Sequence, residues 1–228
     1  MANPHRYGFR FVKNRWGGDT PEIVTHKILS GYAPNVTGAT TCNLNIGDPV
    51  YISDLGNATL LDPGTTTTAD NQVTQRAYGV IAGFPQMLIS GAVRPNSFYP
   101  TATAYGTNYN NRTLVSLIPV EGAVFEIDTD AAGSSSQDTR EEFESMVSSC
   151  AAIVYSQINT TSSNPKANPM LDVSDITKAV ADFRQLRIVG VGSLSENVDY
   201  TITNVPLRVV VNLVQHSPFR TTAGFDGS

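Results

Sequence analysis

Three histidines, two cysteines and a scatter of carboxylates are the residues of this chain whose types could do chemistry. Their spacing argues against it. His5, His26 and His216 lie far apart and fall at no metal-ligand interval. His216 ends a strand-like run, where a histidine making local hydrogen bonds is a simpler reading than a general base. Cys42 and Cys150 form no metal-like or redox spacing, and they read as two free thiols buried as small hydrophobes rather than as a disulfide. Asp128, Asp130 and Asp138 suggest a calcium loop but lack its alternating ligands, central glycine and closing glutamate. No nucleophile elbow, phosphate-binding loop, HExxH or GxGxxG is present. The expectation is a protein without metal, cofactor or catalytic residues. Four Asn-X-Thr sequons, at Asn35, Asn57, Asn111 and Asn159, reflect Asn/Thr richness and nothing more.

A different chemistry, that of interfaces, is concentrated near the N-terminus. Tyr7, Phe9, Arg10, Phe11, Lys13, Arg15 and the single tryptophan, Trp16, crowd into ten positions. Aromatic residues and arginine are enriched where proteins meet. Tyr7, Phe9 and Phe11 alternate with Gly8 and Arg10, the pattern of a short strand added to another sheet edge. These seven residues are the expected contact set with another subunit. The competing reading is an arm folded back over its own body.

Charge points the same way. Residues 1–31 hold five basic against two acidic side chains, a net +3, which leaves −8 on the rest of a chain whose total is −5. A basic arm on an acidic body suits an acidic partner, a neighbouring copy included. The overall acidity argues against a general nucleic-acid binder. No run reaches membrane-spanning length, and MANPHRYGFR has no apolar signal core, so the protein is expected to be made in a cytoplasm with no membrane partner.

The elements that must position these residues are strands. Charged residues are only 15%, and Thr, Asn, Ser and Gly fill their place, which favours strands and turns over solvated helices. Leu114 to Asp128 reads as two strands joined by Pro119-Val120-Glu121-Gly122, a hairpin at the centre of the core. In its second strand Ala123, Phe125 and Ile127 share one face, opposite Val124, Glu126 and Asp128, predicting one buried side. Its first strand is apolar on both faces apart from Ser116 and should lie deeper. Gly47-Asp48-Pro49 leads into a strand at Val50 to Ser53, and Leu55-Gly56-Asn57 turns it back through Ala58 to Leu61. Tyr78 to Phe84 is a strand bent by its glycines. Leu186 to Val191 and Leu207 to His216 close the fold, with Leu207, Val209, Val211 and Leu213 on one face.

One helix is expected at 138–149, with Asp138 as N-cap, Glu141 completing a capping box, and Phe143, Met146, Val147 and Cys150 on one side. Asp172 to Phe183 fits either a helix or a loop. Residues 63–76 and 94–112 read as long polar loops. The expected fold is mainly β: a β-barrel or β-sandwich body with an extended N-terminal arm and one or two short helices. The arm is placed at 1–40, the β body at 41–220 and a flexible tail at 221–228.

Taken in order, several local patterns resemble a family of virion structural proteins from tailed phages, mainly short-tailed marine and freshwater ones. The pieces are Asn3-Pro4 with Tyr7-Gly8-Phe9-Arg10, then Ser30-Gly31-Tyr32-Ala33, Gly47-Asp48-Pro49-Val50 and Gly79-Val80. Val124-Phe125-Glu126-Ile127, Leu186-Arg187-Ile188, Asn197, Asn212 and His216 continue the series. The resemblance runs over nearly the whole chain. It departs at the turn 119–122, which is usually acidic in that family, and at 94–112 and 138–170. It implies a capsid cement or decoration protein on the exterior of the virion, non-enzymatic, bound to the major capsid protein and self-associating as a dimer or trimer. The second reading is a receptor- or glycan-binding head protein, with Tyr99, Tyr105 and Tyr109 of the long loops stacking on sugars.

Overall fold

The computed structural model describes residues 8–28, 43–53, 56–61, 66–67, 72–73, 77–89, 92–96, 98–99, 114–130, 144–155, 168–176, 185–191 and 208–213. In chain order the strands are β1 (Arg10–Asn14), β2 (Val24–Ile28), β3 (Leu44–Asn45), β4 (Pro49–Ile52), β5 (Asn57–Leu60) and β6 (Thr66–Thr67). Next come β7 (Gln72–Val73), β8 (Gly79–Ile89), β9 (Ala92–Asn96), β10 (Phe98–Tyr99), β11 (Leu114–Pro119) and β12 (Ala123–Asp128). The last are β13 (Cys150–Ala151), β14 (Ile153–Tyr155), β15 (Pro169–Leu171), β16 (Leu186–Val191) and β17 (Arg208–Leu213). The mainly β class expected from the composition is what the chain adopts.

Two assemblies of strands make the body. In the first, β11 pairs with β2, β2 with β5, β5 with β4 and β4 with β8, and β8 pairs back onto β11, so the hydrogen bonding closes into a ring. β9 extends it from the far half of β8. The β2–β5 step is parallel; the others are antiparallel. Inside the ring Ile28, Val50, Ala58, Leu60, Val115 and Leu117 pack with Ile81 and Phe84. A ring of so few strands leaves room for side chains only, and these fill it. The second assembly is an open antiparallel sheet in the order β1-β12-β17-β16-β13. Its inner face, with Ala123, Phe125, Ile127, Leu186, Ile188 and Val211, packs against Val80, Ile118 and Leu61 from the ring's exterior.

The period-2 rule explains the division of labour. In β8, Val80 faces the sheet while its neighbour Ile81 faces the ring interior. In β11, Val115 and Leu117 point inward and Ile118 outward, which is why that strand is apolar on both faces. β8 carries register shifts against β11 and β9, as its glycines suggest. The β4–β5 hairpin forms as expected, with the Gly56 N–H donating to Ser53 O at 2.8 Å. β16 spans the expected residues and pairs with β17.

Three expectations are corrected. The stretch 114–128 is not a hairpin. β11 and β12 already have both their neighbours, β2 and β8 for one, β1 and β17 for the other, so neither has an edge left for its partner in sequence. The turn 120–122 is instead a corner that carries the chain from ring to sheet. Second, β12 is buried along both faces, Val124 and Glu126 included. It lies inside the sheet, between β1 and β17, with Arg10 opposite Glu126 and Lys13 opposite Val124.

Third, the described part of the N-terminal segment is not a separate arm: β1 is an edge strand of the sheet and β2 a stave of the ring. Around 138–149, residues 144–145 are helical, the chain turns at 146–148, and Ser148 at φ 77° ends the turn before β13. Residues 138–143 lie outside the described residues, as does the proposed tail 221–228. In the ambiguous stretch, Val173–Asp175 forms a 3₁₀ turn whose N-cap Asp172 accepts from the Ser174 N–H at 2.9 Å. The expected loop 63–76 contains the β6–β7 pairing, and 94–112 contains β10 and the end of β9.

Candidate functional site: a basic groove beside an exposed tryptophan

Phe9 and Phe11 do not present themselves to a partner. Phe9 is buried, and both rings meet Phe125 edge-on, with centroids 6.0 Å and 6.3 Å away. Such pairs are favourable beyond their buried area. The local backbone makes this entry possible. Gly8 has φ +87°, and the Phe9 N–H donates to Gly47 O at 2.8 Å. A Cβ on Gly8 would stand 2.7 Å from that same oxygen, so only glycine fits. Asp48 braces the other side, its Oδ2 accepting from the Asn45 N–H at 2.7 Å. Gly8-Phe9-Arg10 and Gly47-Asp48-Pro49-Val50 therefore meet where Gly8 touches Gly47, and the joint is structural.

Arg10, Lys13, Arg15 and Trp16 point the other way. After β1 the chain makes a tight turn. The Asn14 N–H donates to Gly18 O at 2.9 Å, the Gly17 N–H to Asn14 O at 3.1 Å, and Asn14 Nδ2 to Thr20 O at 2.8 Å. The Arg15 N–H donates to Gly122 O, pinning the turn to the ring–sheet corner. Trp16 rides on this turn at 85% exposure, with the Arg15 guanidinium 5.6 Å from its ring centroid. Tyr7 lies outside the described residues.

Next to that turn, the outer face of the open sheet forms an open groove of about 590 Å³. Lys13, Arg15 and Arg187 give it a basic rim; Val124, Val147 and Val189 give it apolar surface. Backbone pairing sets the cations apart: Lys13 stands beside Val124 on β12, whereas Arg187 sits on β16 between β17 and β13. Ser148 forms part of the wall, where its N–H donates to Ile188 O at 2.8 Å. Among the described residues no carboxylate lines the groove. Glu126, on this face of β12, is buried and faces Arg10 at 3.8 Å, too long for a hydrogen bond. Six large apolar side chains are exposed among the described residues, and three of them, Trp16, Val147 and Val189, lie in or beside this groove.

Sequence reading named Arg10, Lys13, Arg15 and Trp16 but missed Arg187 and Val189. No local signal marks those two. They join the site because the chain returns to the same sheet through β16.

The remaining reactive residues are placed elsewhere. His26 Nε2 lies 3.0 Å from the Tyr78 hydroxyl, with the two rings edge to face at 4.9 Å. Asp130 Oδ1 accepts from the Val173 N–H at 3.2 Å, which makes it a loop brace. Cys150 is buried and carries a free thiol; Cys42, His5 and His216 lie outside the described residues. Among the described residues no group of three or more His, Cys, Asp or Glu could hold a metal, and no helix is long and apolar enough to cross a membrane. Of the loop tyrosines, Tyr99 places its backbone in β10 opposite Leu44, and Tyr105 and Tyr109 lie outside the described residues. No protein-family model, curated protein or solved structure matches this chain.

Proposed function

We propose that this chain is a non-enzymatic cement protein of a phage virion, binding the outer face of the capsid shell and bridging its major capsid subunits. The observation that carries the reading is Trp16, held at 85% exposure on a turn pinned to the body and flanked by a basic groove. A braced tryptophan beside arginine has the character of an interface hot spot, worth about 2 kcal/mol or more when buried. Ordering such a side chain costs little on binding, because its turn is already formed. On a shell presenting many equivalent sites, self-association into a dimer or trimer would multiply modest contacts by avidity. The ordered resemblance to phage virion proteins supports the same reading.

The test is co-sedimentation with preformed shells that lack this protein. The parent is expected to pellet with the shells. Trp16→Ala, folded by circular dichroism, is expected to pellet at least about tenfold less at limiting concentration, as loss of a hot spot would produce. A parent that stays in the supernatant at all concentrations sinks the reading.

A further inference from the structure

We infer that the groove on the outer face of the open sheet receives an extended acidic segment of the protein partner, its carboxylates on Lys13, Arg15 and Arg187 and its apolar side chains on Val147 and Val189. This rests on the reading of the protein as one that docks on a larger protein assembly, and it names the chemistry of what docks.

Charge complementarity over an apolar floor selects this occupant. The rim carries three exposed cations from three places in the chain, β1, the following turn and β16, and no carboxylate among the described lining residues answers them. On the same face Arg10 already has Glu126 beside it, so the contrast is local. Guanidinium groups match carboxylates in planar, two-pronged pairs, and a lysine accepts a carboxylate from many directions. Val147 and Val189 are exposed in the groove despite being apolar, a cost that a partner's side chains would remove. An extended segment whose groove-facing positions, every second residue, carry both acidic and apolar side chains satisfies both requirements, since a strand sends alternate side chains to the same side. A nucleic acid fits less well. Three cations on a chain of net charge −5 make a short basic spot on an acidic molecule, not the stripe that tracks a phosphate backbone.

The experiment uses the full chain and a fluorescein-labelled peptide of three Glu-Ser-Val-Ser repeats, which puts Glu and Val on one face when extended, read by fluorescence anisotropy at low salt. A matched peptide with Gln in place of Glu and a labelled oligothymidylate of similar length are the comparisons. The Glu peptide is expected to bind at least about tenfold tighter than the Gln peptide and to weaken as salt rises. Arg187→Glu and Lys13→Glu are each expected to weaken it by about tenfold or more. Both side chains are exposed, so unchanged thermal melts will show that the fold is intact.

Equal affinity for the two peptides overturns the inference, as does Glu-peptide binding that ignores both reversals. Tighter binding of the oligothymidylate assigns the groove to nucleic acid instead. Sedimentation velocity of the protein alone covers a last occupant: a dimer that Arg187→Glu dissociates would assign the groove to a second copy. Peptide binding and shell decoration are separate readouts. Failure here leaves shell binding through Trp16 standing, and a protein that binds the peptide but not shells refutes the shell reading alone.

Discussion

Inside the ring, every strand has a hydrogen-bonded neighbour on each side, and the inward side chains, from Ile28 to Leu117, are packed against one another. On the outer face of the open sheet, the same kind of strand carries Lys13, Arg187 and Val189 into solvent. The ring has used its recognition capacity on itself: its strands pair with one another and its inward side chains are buried. The outer face has paired backbone beneath unmatched side chains, so it is firm without being complete. That combination suits docking, because a partner meets a surface already ordered and still gains contacts. β1 joins the two regimes in one strand, with Phe11 against Phe125 on one face and Arg10 and Lys13 on the other.

If this contrast is right, substitutions should sort by region. Phe125→Ala is expected to cost most, about 3–5 kcal/mol, because Phe125 is fully buried and touches both Phe9 and Phe11. Urea unfolding checks it, and a midpoint like the parent's would show that the sheet's inner face is not the core. Gly8→Ala should follow at roughly 1–3 kcal/mol, combining a left-handed backbone with a side chain driven onto Gly47 O. The same melt measures it, and a neutral result would remove the joint between the N-terminal segment and the ring.

Tyr155→Phe is expected to lose about 1 kcal/mol, since its hydroxyl donates to Leu61 O at 2.6 Å, tying β14 to the end of β5. Differential scanning calorimetry resolves a change of that size. Smallest in stability should be Lys13→Ala combined with Arg187→Ala, within about 0.5 kcal/mol of the parent. A clear loss of stability in that double variant would place the outer face among the supports of the fold and erase the distinction.

Much of the fold was legible because alternation is local. The boundaries of β16 and the β4–β5 hairpin follow from patterns within a few residues of each other. The candidate site was legible by half. Lys13, Arg15 and Trp16 advertise themselves by type and crowding; Arg187 is one arginine in the apolar strand Leu186–Val191. The crowding also misled, since Phe9 and Phe11 share the composition of an interface but are spent on Phe125.

The sequence by itself determined that this is a β protein, the course of β4, β5, β11, β12 and β16, and which side chains in those strands share a face, because the pleat makes side-chain direction a property of neighbouring residues. It did not determine that the chain turns a corner at 120–122, that Gly8 closes onto Gly47, or that Lys13 and Arg187 rim one groove. Those are choices of partner between strands distant in the chain. They are decided by which edges remain unpaired and which apolar faces remain uncovered when the whole fold assembles.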